Sequence, residues 1–270
     1  MSRFERIEVQ LRPGSVAIRR APMWSAAGGA AKAVPVPARP GASAEIWREP
    51  LQTLARVLDD EAQARGAALH VVLSDHFSRF ALIPWSADLV RESERLAFAR
   101  LSFSQMYGQA SDAWDIAIDE SLSAQPAIAA ALDRALVRAL REVCAARHMR
   151  LVSMVPAFVR DVDRHRSALR GEDFWLVRVE IGRLTLALRQ RGAWSAIRSR
   201  RLDGTAAEAL ANALRQEALA CGVAPHGSVY LIDAGGSVQA IPGWQTTRLG
   251  SSAPATATVS APARRPAPVK

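Results

Sequence analysis

Four acidic residues fall inside apolar runs that read as strands: Glu8, Asp115, Glu180 and Asp233. Paired carboxylates on neighbouring strands would hold Mg2+ for phosphoryl transfer. Glu180 is the best placed of them, because it ends an apolar run immediately before a turn at Gly182. As an ordinary strand end it is otherwise expected to be solvated. Asp161, Asp163 and His165 alternate after a helix start. Alternate residues point about 200° apart on a helix, so these three are not expected to converge.

Other chemistries find less support. The five histidines (70, 76, 148, 165 and 226) include no i,i+4 pair and no Cys-x-x-Cys partner, so no metal site is expected. Ser74-Asp75-His76 reads as a loop. There is no Gly-x-Ser-x-Gly elbow for a nucleophile and no Walker-type phosphate loop. Cys144 flanks an apolar helical stripe and reads as a small buried hydrophobe. Arg134, Arg138 and Arg141 are helically spaced opposite that stripe, with Asp133 and Glu142 beside them. They form a candidate basic interaction face, able to meet phosphate or a partner's carboxylates. No catalytic residue and no metal ligand is assigned.

The elements that must position these groups follow from periodicity and breakers. Ile7–Leu11 and Val16–Arg20 read as two strands joined at Pro13-Gly14. Leu51, Leu54, Leu58 and Ala62 follow helical spacing behind Pro50, up to Gly66. Strands are expected at Leu69–Leu73 and Phe77–Ile83, then a helix carrying Leu89, Leu96, Ala99, Phe103 and Met106 to Gly108. A strand at Trp114–Ile118, a helix over Leu132–Arg147 and a strand at Leu151–Val155 come next, with a short helix after Pro156. Phe174–Glu180, Leu184–Arg189 and Trp194–Arg200 make an antiparallel meander broken at Gly182 and Arg191-Gly192. A helix through Leu210, Leu214, Ala218 and Cys221, a strand at Val229–Ile232 and a Gly235-Gly236 turn complete the order. Two strand-rich openings, each followed by helix–strand units, predict mixed sheets covered by helices in two related halves.

Composition bounds the function classes. Of the 270 residues 49% are hydrophobic, ample for a core, and the two cysteines, Cys144 and Cys221, have no partner spacing. A reducing compartment fits, and a disulfide scaffold does not. The first residues lack the apolar stretch of a signal peptide, and no run of about 18 apolar residues predicts a spanning helix. The net charge of +9 is carried by Arg, since Lys occurs only at Lys32 and Lys270. Dispersed Arg of this kind reads as a solvated basic surface. Residues 21–45 hold nine Ala, four Pro and three Gly and read as a linker or excursion. Residues 250–270 read as a disordered basic tail.

The segment Leu73–Trp85, the helix up to Tyr107, the strand Leu151–Pro156 and the stretch Phe174–Arg200 together have the order and texture of a known group. The chain resembles the actin-like PilM, MshI and GspL cytoplasmic proteins of type IV pilus and type II secretion assembly platforms, over residues 5–245. The resemblance implies an α/β fold of mixed sheets covered by helices, with two actin-like (RNase H-like) halves facing a cleft. Opening strands over 1–20 and a first α/β half over 46–168 would precede a second, shorter half over 169–249. Such proteins place ATP between the halves, on two phosphate hairpins and a glycine-rich adenosine turn.

Carried onto this chain, the first hairpin is Leu11-Arg12-Pro13-Gly14-Ser15, with Arg12-Pro13 where an Asp is expected. The second is Glu180-Ile181-Gly182-Arg183, where Arg183 would fill phosphate space. The adenosine turn, Ile232 to Ser237 with Gly235 and Gly236, is the best preserved. Gly14, Ser15, Glu180, Gly182, Gly235, Gly236 and Ser237 thus form a vestigial nucleotide site. With two of three motifs degenerate, ATP turnover is not expected, and neither is a resident cofactor.

The implied role is a non-catalytic scaffold or adaptor, a pseudo-ATPase that binds a partner segment. That partner would be a protein, with an inner-membrane pilus or secretion component as the candidate. The location would be cytoplasmic, peripheral at the inner membrane and not membrane-spanning, with no specific nucleic acid bound. The alternative is a basic nucleic-acid-binding protein or divergent RNase H-like nuclease, which shares a strand-first α/β core but needs converging carboxylates.

Overall fold

The computed structural model describes residues 5–22, 31–37, 45–59, 66–89, 91–119, 124–203 and 207–250. Residues 251–270, expected to form a basic tail, lie outside them. Two five-stranded sheets repeat one plan. The first has β1 (Glu5–Arg12), β2 (Ser15–Pro22), β3 (Lys32–Pro35), β4 (Ala68–Leu73) and β8 (Arg150–Pro156), in the order β3-β2-β1-β4-β8. The second has β9 (Phe174–Glu180), β10 (Arg183–Gln190), β11 (Ala193–Arg201), β12 (Ser228–Asp233) and β13 (Gln245–Leu249), in the order β11-β10-β9-β12-β13.

In both sheets the first three strands form an antiparallel meander, and the last two run parallel to the first. The repeat is therefore in topology as well as in element order. The register extends it to single residues. Arg12 pairs with Ser15 across the first turn, and Glu180 pairs with Arg183 across the second. Where each parallel strand ends, Ser74 N donates to Leu11 O (2.9 Å) and Ala234 N donates to Val179 O (3.0 Å).

The alternation of each central strand sets its two faces. Ile7, Val9 and Leu11 of β1 point into a core closed by α1 (Arg48–Asp59) and α3 (Arg134–Ala145). Leu54 and Leu136 are fully buried there. Trp175, Val177 and Val179 of β9 point likewise into a core with α5 (Ala207–Ala220). The opposite face of β9 carries Phe174 and Leu176, packed with Phe158 of α4 (Ala157–His165) in a third cluster. Arg178 and Glu180 continue that face.

Between β4 and α3 the chain builds a third sheet from β5 (Ser78–Ile83), β6 (Trp114–Ile118) and β7 (Ala127–Asp133), all antiparallel in the order β5-β7-β6. One face packs on α2 (Glu92–Tyr107) through Ala99 and Phe103. The other joins the cluster with α4 and the second sheet through Phe80 and Ile128. Among the described residues no helix is long and apolar enough to cross a membrane.

Some expectations need correction. The helix expected to carry Leu89 begins only at Glu92, leaving Leu89 before it. The helix expected from Leu132 starts at Arg134, because Leu132 and Asp133 close β7 and the Asp133 carboxylate caps the helix by accepting from Ala135 N (2.8 Å). Within the segment 21–45, read as a linker or excursion, the described part contains β3, paired with β2 from Lys32 to Pro35. Its remaining residues, 23–30 and 38–44, lie outside the described ones. The strand expected to begin at Phe77 begins at Ser78, after a 3-10 turn at Asp75–Phe77 capped by the Ser74 side chain.

Candidate functional site: a cavity above a buried arginine

The turns of the two sheets meet. Arg12, Pro13, Gly14 and Ser15 from the β1–β2 turn, Ser74 and His76 after β4, Glu180 and Ile181 from the β9–β10 turn, and Ala234 and Gly235 after β12 line one cavity of about 340 Å3. That is the lower end of the ~300–1,000 Å3 usual for small-molecule sites. Gly14, Ser15, Glu180 and Gly235 of the expected nucleotide residues therefore share one cavity.

The other three are adjacent and do a different job. Gly182 and Gly236 adopt positive φ, 74° and 70°, which their turns require. The Asp233 carboxylate accepts from Gly235 N (2.8 Å) and Val238 N (2.6 Å), and the Ser237 hydroxyl also donates to it (3.3 Å). Asp233 is thus the internal brace of the glycine turn, and Ser237 is spent on it.

Directly beneath lies a buried guanidinium. Arg178 is 2% exposed. Its Nε donates to Asp161 Oδ2 (2.8 Å) and its Nη1 to Asp75 Oδ2 (3.1 Å), while Glu180 Oε1 is ion-paired at 2.6 Å. The carboxylates come from three places: the 3-10 turn after β4, α4, and β9 itself. Asp75 also accepts from Thr185 Oγ1 (3.1 Å) and, through Oδ1, from Phe158 N (3.0 Å). That last bond caps α4, whose own cap position is Pro156 with no side-chain cap bond. The Ser74 hydroxyl donates to Glu180 Oε2.

The electrostatics follow from burial against pairing. Burial pushes Asp75 up to about 6, against the pull of Arg178. Burial would also raise Glu180, but Arg178, Ser74 and Arg12 together hold it below its ordinary value. Arg178 is the most firmly protonated group in the cluster, since three carboxylates outweigh its burial. His76 is pulled down by burial, and its Nε2 lies 2.9 Å from Ile181 O, tying the 3-10 turn to the second hairpin.

Glu180 is therefore not a solvated strand end; it is 6% exposed, with Oε2 accepting from Ser74 and Oε1 ion-paired to Arg178. Nor do the carboxylates stay apart. Asp75, Asp161 and Glu180 converge, though of these only Glu180 stands among the strand-borne candidates. Glu8, Asp115 and Asp233 do not join them: Glu8 pairs with Arg6 and Arg19, and Asp115 with Arg134 (3.2 Å). Asp163 bridges Arg166 (3.0 Å) and His165 approaches Gly250 O, so that alternating trio does not converge. Among the described residues no group of three or more His, Cys, Asp or Glu side chains is placed to hold a metal ion.

Arg183 does not fill the cavity either. It starts β10 beside the cluster, where burial acts on it most, followed by Arg79, Asp75, Tyr107 and Glu180, whereas the guanidinium lining the cavity is that of Arg12. Arg134, Arg138 and Arg141 are exposed on the outer side of α3, which packs on the far face of the first sheet. Cys144 is buried there, and burial pushes its thiol up to about 11.

This architecture, two sheets of identical order closing on a shared cavity, is that of the actin-like fold. The solved structures similar to this chain include the PilM-PilN type IV pilus biogenesis complex, at 15% identity over 92% of this chain and 89% of that one, with a TM-score of 0.63. A Bacteroides thetaiotaomicron protein of actin-like ATPase fold and unknown function matches at 12% identity over 86% and 82%, with a TM-score of 0.59. The cytoplasmic domain of EpsL, an inner-membrane component of the Vibrio cholerae type II secretion system, matches at 14% over 92% and 90%, with a TM-score of 0.51. No protein-family model matches the chain, and no curated protein matches it.

Proposed function

We propose that this chain is a non-hydrolysing actin-like scaffold that holds a protein partner within a pilus or secretion assembly platform. The observation that carries the reading is the engagement of every converging carboxylate by Arg178. An actin-like fold implies Mg2+-ATP in the cleft, and the residues here do not fit the metal. A divalent cation needs carboxylate oxygens free to turn towards it. Asp75, Asp161 and Glu180 are instead held on an arginine that stays protonated at all accessible pH. Arg12 then places a second positive charge where a metal-bearing hairpin would need a negative one.

Likeness to PilM in its complex with PilN, and to EpsL, supports a scaffold role beside membrane-associated assembly proteins and a cytoplasmic location. Purified protein with Mg2+-ATP should release phosphate only at background rate. Steady release that Glu180→Gln abolishes would reinstate an enzyme. For the partner, calorimetric titration with a PilN-type protein from the same genome should give saturable binding, and its absence would remove the adaptor half of the reading. The rival nuclease reading has converging carboxylates in its favour but the same occupied oxygens against it.

A further inference from the structure

Arg12 lines the cavity and Arg178 lies beneath it, and of these two only Arg178 is ion-paired. Arg178 has three carboxylates. Arg12 is part-buried, lines the cavity, and has one side-chain bond, from Nη2 to the neutral amide oxygen of Gln10 (3.2 Å). Among the described residues it makes no ion pair. The nearest influential carboxylate is Glu180, which is spent on Arg178 and Ser74. A guanidinium carries five N–H donors, and a part-buried one left with a single neutral acceptor is costly unless an anion arrives.

The surroundings fit such an anion. Ser15 adds a hydroxyl at the same turn, and a Cβ built on Gly14 meets nothing within 4 Å, so the backbone there is open to approach. Pro13, Ile181 and Ala234 give the rim an apolar character, and Ile181 is 84% exposed without a covering group. His76 is a poor second cation, because burial pulls its protonation down and its ring Nε2 is tied up 2.9 Å from Ile181 O. One facing cation balances one anionic group; a polyphosphate would bring several charges with no counterion and no metal.

We infer that the cavity is a binding site for a small organic molecule bearing one anionic group, a carboxylate or a phosphate monoester, received by Arg12 without a divalent cation. Its apolar body lies along Pro13, Ile181 and Ala234. The inference shares with the scaffold reading the engagement of the carboxylates by Arg178 and the positive charge of Arg12 at the first hairpin, yet the two fail separately. Phosphate release overturns that reading, and the following binding pattern decides this one.

The test is calorimetric titration of the full chain with AMP, octanoate and ATP, each in EDTA and again in millimolar Mg2+. AMP or octanoate should bind equally in EDTA and in Mg2+, and ATP should bind no more tightly than the better of the two. Arg12→Gln should weaken binding at least about tenfold, the usual scale of a charge-assisted contact. Arg12→Lys, which keeps the charge, should recover part of it and serves if the Gln variant does not fold. AMP against octanoate distinguishes phosphate from carboxylate. Binding that requires Mg2+, binding indifferent to both Arg12 variants, or no binding of any probe at 5 mM (roughly the weak limit of specific recognition) would each overturn the inference.

Discussion

The two hairpins occupy the same place in sheets of the same strand order, yet their charges are inverted. Arg12 and Ser15 flank Pro13-Gly14 in the first; Glu180 and Arg183 flank Ile181-Gly182 in the second. Two residues earlier on the same face stand Gln10 and Arg178. In the second half the arginine sits one step below the turn, where Asp75 and Asp161 reach it from the first half and α4. In the first half the arginine sits at the turn itself, beside a neutral amide and open space. A duplicated backbone thus supplies two matched cups, and side chains make one a closed ion cluster and the other an open cationic lip.

The comparison breaks first at Arg178. Arg178→Ala strands three buried carboxylates and should cost about 3–5 kcal/mol, the usual consequence of removing one partner of a buried ion pair. Urea unfolding measures it, and a loss under about 1 kcal/mol would mean that the cluster is not buried as described.

Next comes the pH dependence of Asp75, which faces Arg178, Glu180 and Thr185. Its folded value of about 6 lies above the ordinary 3.8, so the folded protein keeps a proton that the unfolded chain has already released. Stability therefore falls as pH rises from about 4 to 6 and levels off above. In Asp75→Asn that contribution is absent. The advantage of wild type over the variant should shrink across this window in unfolding curves at pH 4, 5, 6 and 7. An advantage that grows instead would place the folded value below the ordinary one.

Arg12→Gln sharpens the contrast between the two arginines. It removes a part-buried cation that has no carboxylate partner, so stability should change by less than about 1 kcal/mol, or rise. A loss comparable to that of Arg178→Ala would show Arg12 to be structural. Smallest of all is the exposed face of α3. Changing Arg134, Arg138 and Arg141 together to Glu breaks one exposed ion pair, Arg134–Asp115, worth roughly 0–1 kcal/mol, and two exposed Arg134 bonds to the Asp112 and Trp114 carbonyls. Thermal melting should barely move, and only weak, salt-sensitive nucleic-acid binding should be lost. Sub-micromolar binding at about 150 mM salt that the triple change abolishes would favour the nucleic-acid reading.

Much of this fold is legible in the sequence because breakers and alternation agree. Pro13-Gly14, Gly182 and Arg191-Gly192 mark turns that the backbone does make, and the meander from Phe174 follows its apolar alternation. What failed has local reasons. The β7 segment, Ala-Ile-Ala-Ala-Ala-Leu-Asp, is rich in alanine, the strongest helix former, and runs directly into a helix, so pairing partners rather than propensity make it a strand. The third sheet was hidden with it. The polar edge strand β13, Gln-Thr-Thr-Arg-Leu, has no apolar period to read.

The cavity walls were legible as three turns. Its floor was not, because Arg178 and Asp75 lie 103 residues apart and meet only through tertiary packing. One sign was available: Arg178 and Glu180 alternate with Val177 and Val179 in a strand otherwise apolar on both faces. Such a strand has no solvated side for its charges.

The central claim is that the carboxylates between the halves are occupied by an arginine, leaving none for a metal. Electron paramagnetic resonance of Mn2+ titrated into the full chain tests it directly, with and without ATP. Measured against protein-free controls with the same Mn2+ and ATP, the free-ion signal should be no smaller for wild type and Glu180→Gln alike. A stoichiometric loss of that signal with wild type, restored by Glu180→Gln, would contradict it.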